Sequence, residues 1–132
     1  MLRDAKLIAN IGVGGKFRRL HVCHAAHHYG HGNSPIAYFV LRYTDNTKTV
    51  FPVVYGRHII NWWRDGKEQP PADSKVAWVG SNAPAKAGGY DVVLYLTTFD
   101  NPHPNKTIHT IDYAFGENVG AHPFCVAMTV EK

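Results

Sequence analysis

Ile36-Ala-Tyr-Phe-Val-Leu-Arg-Tyr-Thr44 and Thr47-Lys-Thr-Val-Phe-Pro-Val-Val-Tyr55, joined by Asp45-Asn46, form the stretch whose reading decides the fold. Both arms are rich in β-branched and aromatic residues, and Asp45-Asn46 tolerates the positive φ that a two-residue hairpin turn needs. The continuation from Gly56 to Trp63 is expected as one or two turns of helix. Ile59, Ile60 and Trp63 have the spacing to cover one end of a sheet.

Working outward, Ala5 to Ile11 reads as a first strand closed by Gly12-Val13-Gly14-Gly15. No helical pattern follows those glycines, so they make a turn and not a phosphate-binding loop. Phe17 to Ala25 is a second strand, and a loop dense in histidine and glycine runs from His24 to Asn33. Beyond the hairpin, Arg64 to Ser74 is a polar loop, Lys75 to Gly80 a strand carrying Trp78, and Ser81 to Gly89 a loop of small residues. Tyr90 to Phe99 is the most hydrophobic strand. Two prolines sharpen the turn from Asp100 to Asn105, because each fixes φ and removes a donor. Lys106 to Phe115 alternates, and Pro123 to Val130 closes the chain. Roughly seven to eight strands, 8–12 residues apart, with one short helix, describe an all-β antiparallel sandwich of the jelly-roll type.

The 132 residues make one domain, 1–132, with 45% hydrophobic and 12% aromatic residues, well inside the globular class. Fourteen Lys and Arg against ten Asp and Glu give a net charge of +4, and nine histidines add charge as pH falls. The cations are dispersed, with no run of five or more, so no nucleic-acid partner is expected. No apolar run approaches the roughly 20 residues of a membrane-spanning helix, and the N-terminus has no signal-peptide core. A leader or neighbouring domain upstream of Met1 stays open. Cys23 and Cys125 lie near opposite ends of the chain. Two readings stand for them: a disulfide across neighbouring strands, or two buried free thiols.

Several motifs together resemble a recurrent bacterial β-sandwich module. They are Tyr43-x-Asp45-x-Thr47, Pro52-Val53-x-Tyr55-Gly56, Trp62-Trp63, Ala77-Trp78-x-Gly80, and the run Leu94-Tyr95-Leu96-Thr97-Thr98-Phe99-x-Asn101-Pro102-x-Pro104. The similarity extends through Lys106-x-Ile108-x-x-Ile111-Asp112 and covers most of the chain from about Leu20 onward. Modules of this kind resemble the galactose-binding-like folds of carbohydrate-binding domains. The resemblance implies a non-catalytic jelly-roll accessory domain for a polysaccharide or glycan, extracellular or at the cell surface, fused to other domains of its parent protein. The histidine density from His24 to His31 departs from that pattern.

His24, His27, His28 and His31 place four imidazoles within eight residues. Imidazole is a ligand for zinc or copper, so these four are the candidate metal set, for a transition metal in an otherwise cofactor-free protein. No carboxylate or HExxH geometry accompanies them. A structural calcium is the other cation considered. Alternatively, the same loop is a polar rim for a bound sugar. Sugar binding uses aromatic faces with polar neighbours, and the candidate ligand-binding set is His27, His28, Tyr29 and His31 together with Arg57, His58 and Trp62. Glycoside chemistry needs two carboxylates facing across a cleft. The acids here fall mostly in turns and at strand ends, with Asp112 alone well inside a strand, where it is expected to pair with a cation such as Arg42. The reading therefore leans towards binding without catalysis. A His-cluster metalloprotein acting on polysaccharide, or an interaction domain of a surface protein, are the alternatives.

Overall fold

The computed structural model describes residues 6–30, 35–116 and 120–132, with the side chains of 6–10 left aside. Among them are nine strands and one five-residue helix. In chain order they are β1 (Lys6–Gly15), β2 (Arg19–His27), β3 (Pro35–Tyr43), β4 (Lys48–Val54), β5 (Trp63–Arg64), β6 (Lys75–Gly80), α1 (Ala83–Ala87), β7 (Asp91–Asp100), β8 (Ile108–Phe115) and β9 (His122–Glu131). All the strand pairs are antiparallel. One sheet runs β1-β8-β3-β4 and the other β5-β7-β2-β9, with β6 also on β7. Tyr95 and Leu96 pair with both β2 and β6, so those two strands flank β7 on opposite edges. The second sheet therefore ends at β6 on one side and β9 on the other. This is the expected all-β sandwich, with a strand more than anticipated.

The hairpin forms the heart of the first sheet. β3 is paired on both sides and buried along nearly its whole length, Arg42 excepted. Its connection to β4 is one residue longer than a two-residue turn. Tyr43 N–H donates to Thr47 O (2.9 Å) and Asn46 N–H to Tyr43 O (3.2 Å), while Asn46 alone carries a positive φ of 68°. That is a three-residue loop: a tight turn followed by one left-handed residue. Between the sheets, Phe39 stacks on Tyr113 at 4.7 Å and Phe51 on Phe99 at 4.9 Å. Leu20, Val22, Leu41, Ile59, Ile60, Val93 and Tyr95 fill the rest of the core. Each such side chain contributes about 1.5–3 kcal/mol by leaving water.

Gly12 to Gly15, expected as a turn, belong to β1; two further expectations are corrected, and the two open readings of the cysteines resolve to one. The helix from Gly56 to Trp63 does not form. Gly56 sits at φ 87°, where a helix cannot continue, and the chain turns so that Gly56 N–H reaches Ile59 O at 2.8 Å. It then runs extended beside β2: Ala26 N–H donates to Ile60 O and Trp62 N–H to Ala26 O. Burial of Ile59, Ile60 and Asn61 in succession follows from that threading, not from a helical face. The short helix lies instead in the loop of small residues. Asn82 caps it by accepting from Ala85 N–H at 2.8 Å, with Pro84 in its first turn. Finally, Cys23 and Cys125 are free. β2 and β9 are neighbours, as a disulfide would require, but Cys23 stands opposite Ala127 and Cys125 opposite His24. Consecutive residues of a strand face opposite ways, so the two thiols are directed to different faces of the sheet. Burial raises both, Cys125 to about 11, which keeps them as thiols at neutral pH. Among the described residues no helix is long and apolar enough to cross a membrane.

Candidate functional site

The histidines of the sequence separate into two environments. His24 is fully buried, its Nε2 2.6 Å from Thr97 Oγ1 and its Nδ1 without a partner. Burial, with His58 nearby, holds its pKa down to about 3. His58 is buried as well: Val54 N–H donates to its Nδ1 at 2.9 Å, and its ring lies 5.5 Å from Phe99. Burial and then Arg57 hold its pKa low. Both are buried, His24 completely and His58 with a small exposed edge.

His27, His28 and Tyr29 are exposed where β2 ends. The His27 and His28 rings are 4.0 Å apart, and His122, opposite His27 on β9, brings a third imidazole to 5.8 Å from His28. Tyr29 is 51% exposed and its hydroxyl donates to Asp65 at 3.4 Å. His31 lies outside the described residues. No three His, Cys, Asp or Glu side chains among the described residues are placed to hold a metal ion.

The two flanks of the hairpin do meet, through Ala26, Ile60 and Trp62, but the side chains proposed for the site divide. Arg57 is bound to Asp73, and His58 to Val54 and Phe99, none of which belongs to the 27–29 loop. Trp62 is half-buried against the core, its edge meeting Phe124 at 5.6 Å. The nearest carboxylates are engaged in loop structure. Asp65 accepts from the backbone of Lys67 and Glu68, and Glu68 accepts from the Tyr55 hydroxyl at 2.7 Å.

A second surface is built on the outer face of the five-stranded sheet. Directly opposed residues of antiparallel strands share a face, so Trp78 and Leu94, Lys75 and Leu96, Cys23 and Leu96, and His21 and Thr98 all stand together. Val93, Tyr95 and Phe99, the alternate positions of β7, point into the core. A shallow cleft of about 410 Å³ opens on this face between β2, β7 and the start of β6. His21, Asp73, Ser74, Lys75, Leu96 and Thr98 line it. His21 Nδ1 is 2.8 Å from Thr98 Oγ1, and the Ser74 hydroxyl is buried with no partner. Beyond His21, Arg19 bridges Asp100 (3.1 Å) and Glu131 (2.7 Å) across three strands.

Trp78 flanks this cleft. Its register partner Leu94 is two residues along β7 from Leu96, the partner of Lys75. At about 3.4 Å per residue, Trp78 and Lys75 are roughly 7 Å apart along the strand direction. The indole is 52% exposed and lies over Gly80. An apolar ring this open, braced from below and bordered by polar groups, is suited to stacking on a planar or ring-shaped ligand. Sequence reasoning passed over this face. The legible signal was Trp78-x-Gly80, since residues two apart on a strand share a side and glycine leaves room for the ring. His122 was missed because only the β2–β9 pairing brings it to His27 and His28. Comparison with family models, curated proteins and solved structures found no match to this chain.

Proposed function

We propose that this β-sandwich is a non-catalytic glycan-binding module whose ligand lies on the outer face of the five-stranded sheet. The observation that carries the reading is Trp78, exposed on that face and bordered by a polar cleft. The C–H face of a pyranose packs on the indole, while Lys75, Ser74, His21 and Thr98 meet hydroxyls of the adjoining residue. Roughly 7 Å between Trp78 and Lys75 is comparable with the span of one to two sugar rings. The motif resemblance to carbohydrate-binding domains supports the same ligand class. A polysaccharide ligand places the module outside the cell or at its surface, as the accessory domain of a larger protein. The loop of His27, His28 and Tyr29 is then a separate corner of the molecule and not the sugar platform.

The experiment is a titration against soluble glycans of neutral and acidic type, read by tryptophan fluorescence and calorimetry. Saturable binding that Trp78→Ala weakens by about tenfold (about 1.4 kcal/mol) supports the proposal. Binding that survives Trp78→Ala and is lost in Tyr29→Ala would move the site to the histidine corner.

A further inference from the structure

Along one side the two sheets do not close on each other. β1 ends the first sheet and β9 the second, and between them lies a cleft of about 760 Å³. Ile11 and Val13 of β1, Ile111 and Tyr113 of β8, and Phe124 and Met128 of β9 line it. No charged side chain is among the described residues that line it. A concave apolar site of this size falls in the range of small-molecule pockets, roughly 300–1,000 Å³.

One polar group inside it is left over. Tyr113 is 4% exposed, its ring stacked on Phe39, and its hydroxyl is buried without a hydrogen-bond partner. The neighbouring Cys125 thiol does not serve it, being directed to Ala127 O at 3.4 Å. Native proteins seldom leave a buried hydroxyl unpaired, because the lost hydration is not replaced. A ligand oxygen would replace it.

We propose that this cleft binds a neutral, largely apolar molecule carrying one hydrogen-bonding oxygen, an alkyl chain ending in an alcohol or ester, with that oxygen on Tyr113. The apolar walls take the chain. An ionised head group would lose its water with no opposite charge in the lining, so it is disfavoured. The site is distinct from the sheet face that carries Trp78 and does not depend on glycan binding.

The test titrates the 132-residue chain with diphenylhexatriene, a neutral hydrocarbon probe, and then competes it with 1-decanol, decyl sulfate and decyltrimethylammonium. The expected result is a saturable signal at one site per chain, with decanol displacing about tenfold better than either ion. Tyr113→Phe keeps the ring and should weaken decanol about fivefold while leaving the hydrocarbon probe unchanged. Val130→Trp, at an exposed position of the wall on the core-facing side of β9 opposite Leu20, should abolish both, with unaltered far-UV circular dichroism reporting an intact fold. The proposal is overturned by any of four results. These are no saturable probe signal, equal displacement by the ions, decanol affinity unmoved in Tyr113→Phe, or sedimentation showing a dimer that excludes the probe. The last would assign the cleft to a second copy of the chain.

Discussion

The Trp78 indole occupies the place where a side chain on Gly80 would stand. A Cβ at Gly80 would come within 2.0 Å of Trp78 Cη2 and 2.3 Å of Cζ2, far inside contact distance. Gly80 is therefore the seat of the ring. Gly80→Ala is expected to tilt the indole off the sheet, shift its fluorescence, and reduce glycan affinity by about tenfold (about 1.4 kcal/mol) with the fold retained. Unchanged fluorescence and affinity in this variant would show that the ring needs no such seat.

Burial of His24 makes stability depend on pH. Its folded pKa, about 3, lies below the ordinary 6.5, so in that window the unfolded chain binds a proton that the folded chain excludes. Stability is full above pH 6.5 and falls as pH drops towards 3, by about 1.4 kcal/mol per pH unit for one such group. His58, also held low, adds in the same direction. Urea unfolding between pH 4.5 and 6.5 measures the slope, and His24→Leu should flatten it. A slope unaltered in that variant would assign the acid sensitivity elsewhere.

Asn101 ties three segments together in the interior. Its Oδ1 accepts from the Tyr43 hydroxyl (2.6 Å) and from His103 N–H (2.9 Å), and its Nδ2 donates to Phe17 O at 2.8 Å. Asn101→Ala removes all three bonds and leaves the Phe17 carbonyl unserved by its side-chain donor. We expect a loss of about 2–3 kcal/mol in equilibrium unfolding with an unchanged denaturant slope. A loss below about 0.5 kcal/mol would mean that water replaces the amide.

Asp112 is a buried carboxylate whose Oδ2 accepts from Arg42 Nε at 2.6 Å, while Oδ1 has no partner. Arg42 is half exposed, so the surrounding water weakens the pair. Arg42→Met is expected to cost about 1–3 kcal/mol because it strands the carboxylate, and Asp112→Asn in the same chain should recover part of that loss. No recovery in the double variant would show that packing of the arginine stem, not its charge, carries the effect.

Where the structural signal was local, the sequence was legible. The hairpin arms, the alternation of β8 and the Arg42–Asp112 pair were all expected, because β-branched runs and strand periodicity are written in adjacent residues. The segment from Gly56 to Trp63 was not. Ile59, Ile60 and Trp63 fit a helical spacing, yet Gly56 at positive φ turns the chain and bonds to Ala26 then hold it beside β2. The contacts to Ala26 leave no local trace. The site followed the same rule. The histidine run was conspicuous, but strand alternation sends His24 into the core and His27 to the surface. The outer-face surface of His21, Thr98, Lys75 and Trp78 comes from three strands whose register the sequence does not state. Asn82 followed by Pro84 is a helix-start signal that the reading of Ser81 to Gly89 as a loop did not use.

The central claim is that the sheet face carrying Trp78 holds a glycan. Calorimetric titration of the chain and of Trp78→Ala, with Trp62→Ala as the control for a core-packed tryptophan, tests it most directly. The account predicts saturable binding of a soluble polysaccharide that falls about tenfold in Trp78→Ala and is retained in folded Trp62→Ala. An absence of binding across neutral and acidic glycans, or affinity unchanged in Trp78→Ala, would contradict it.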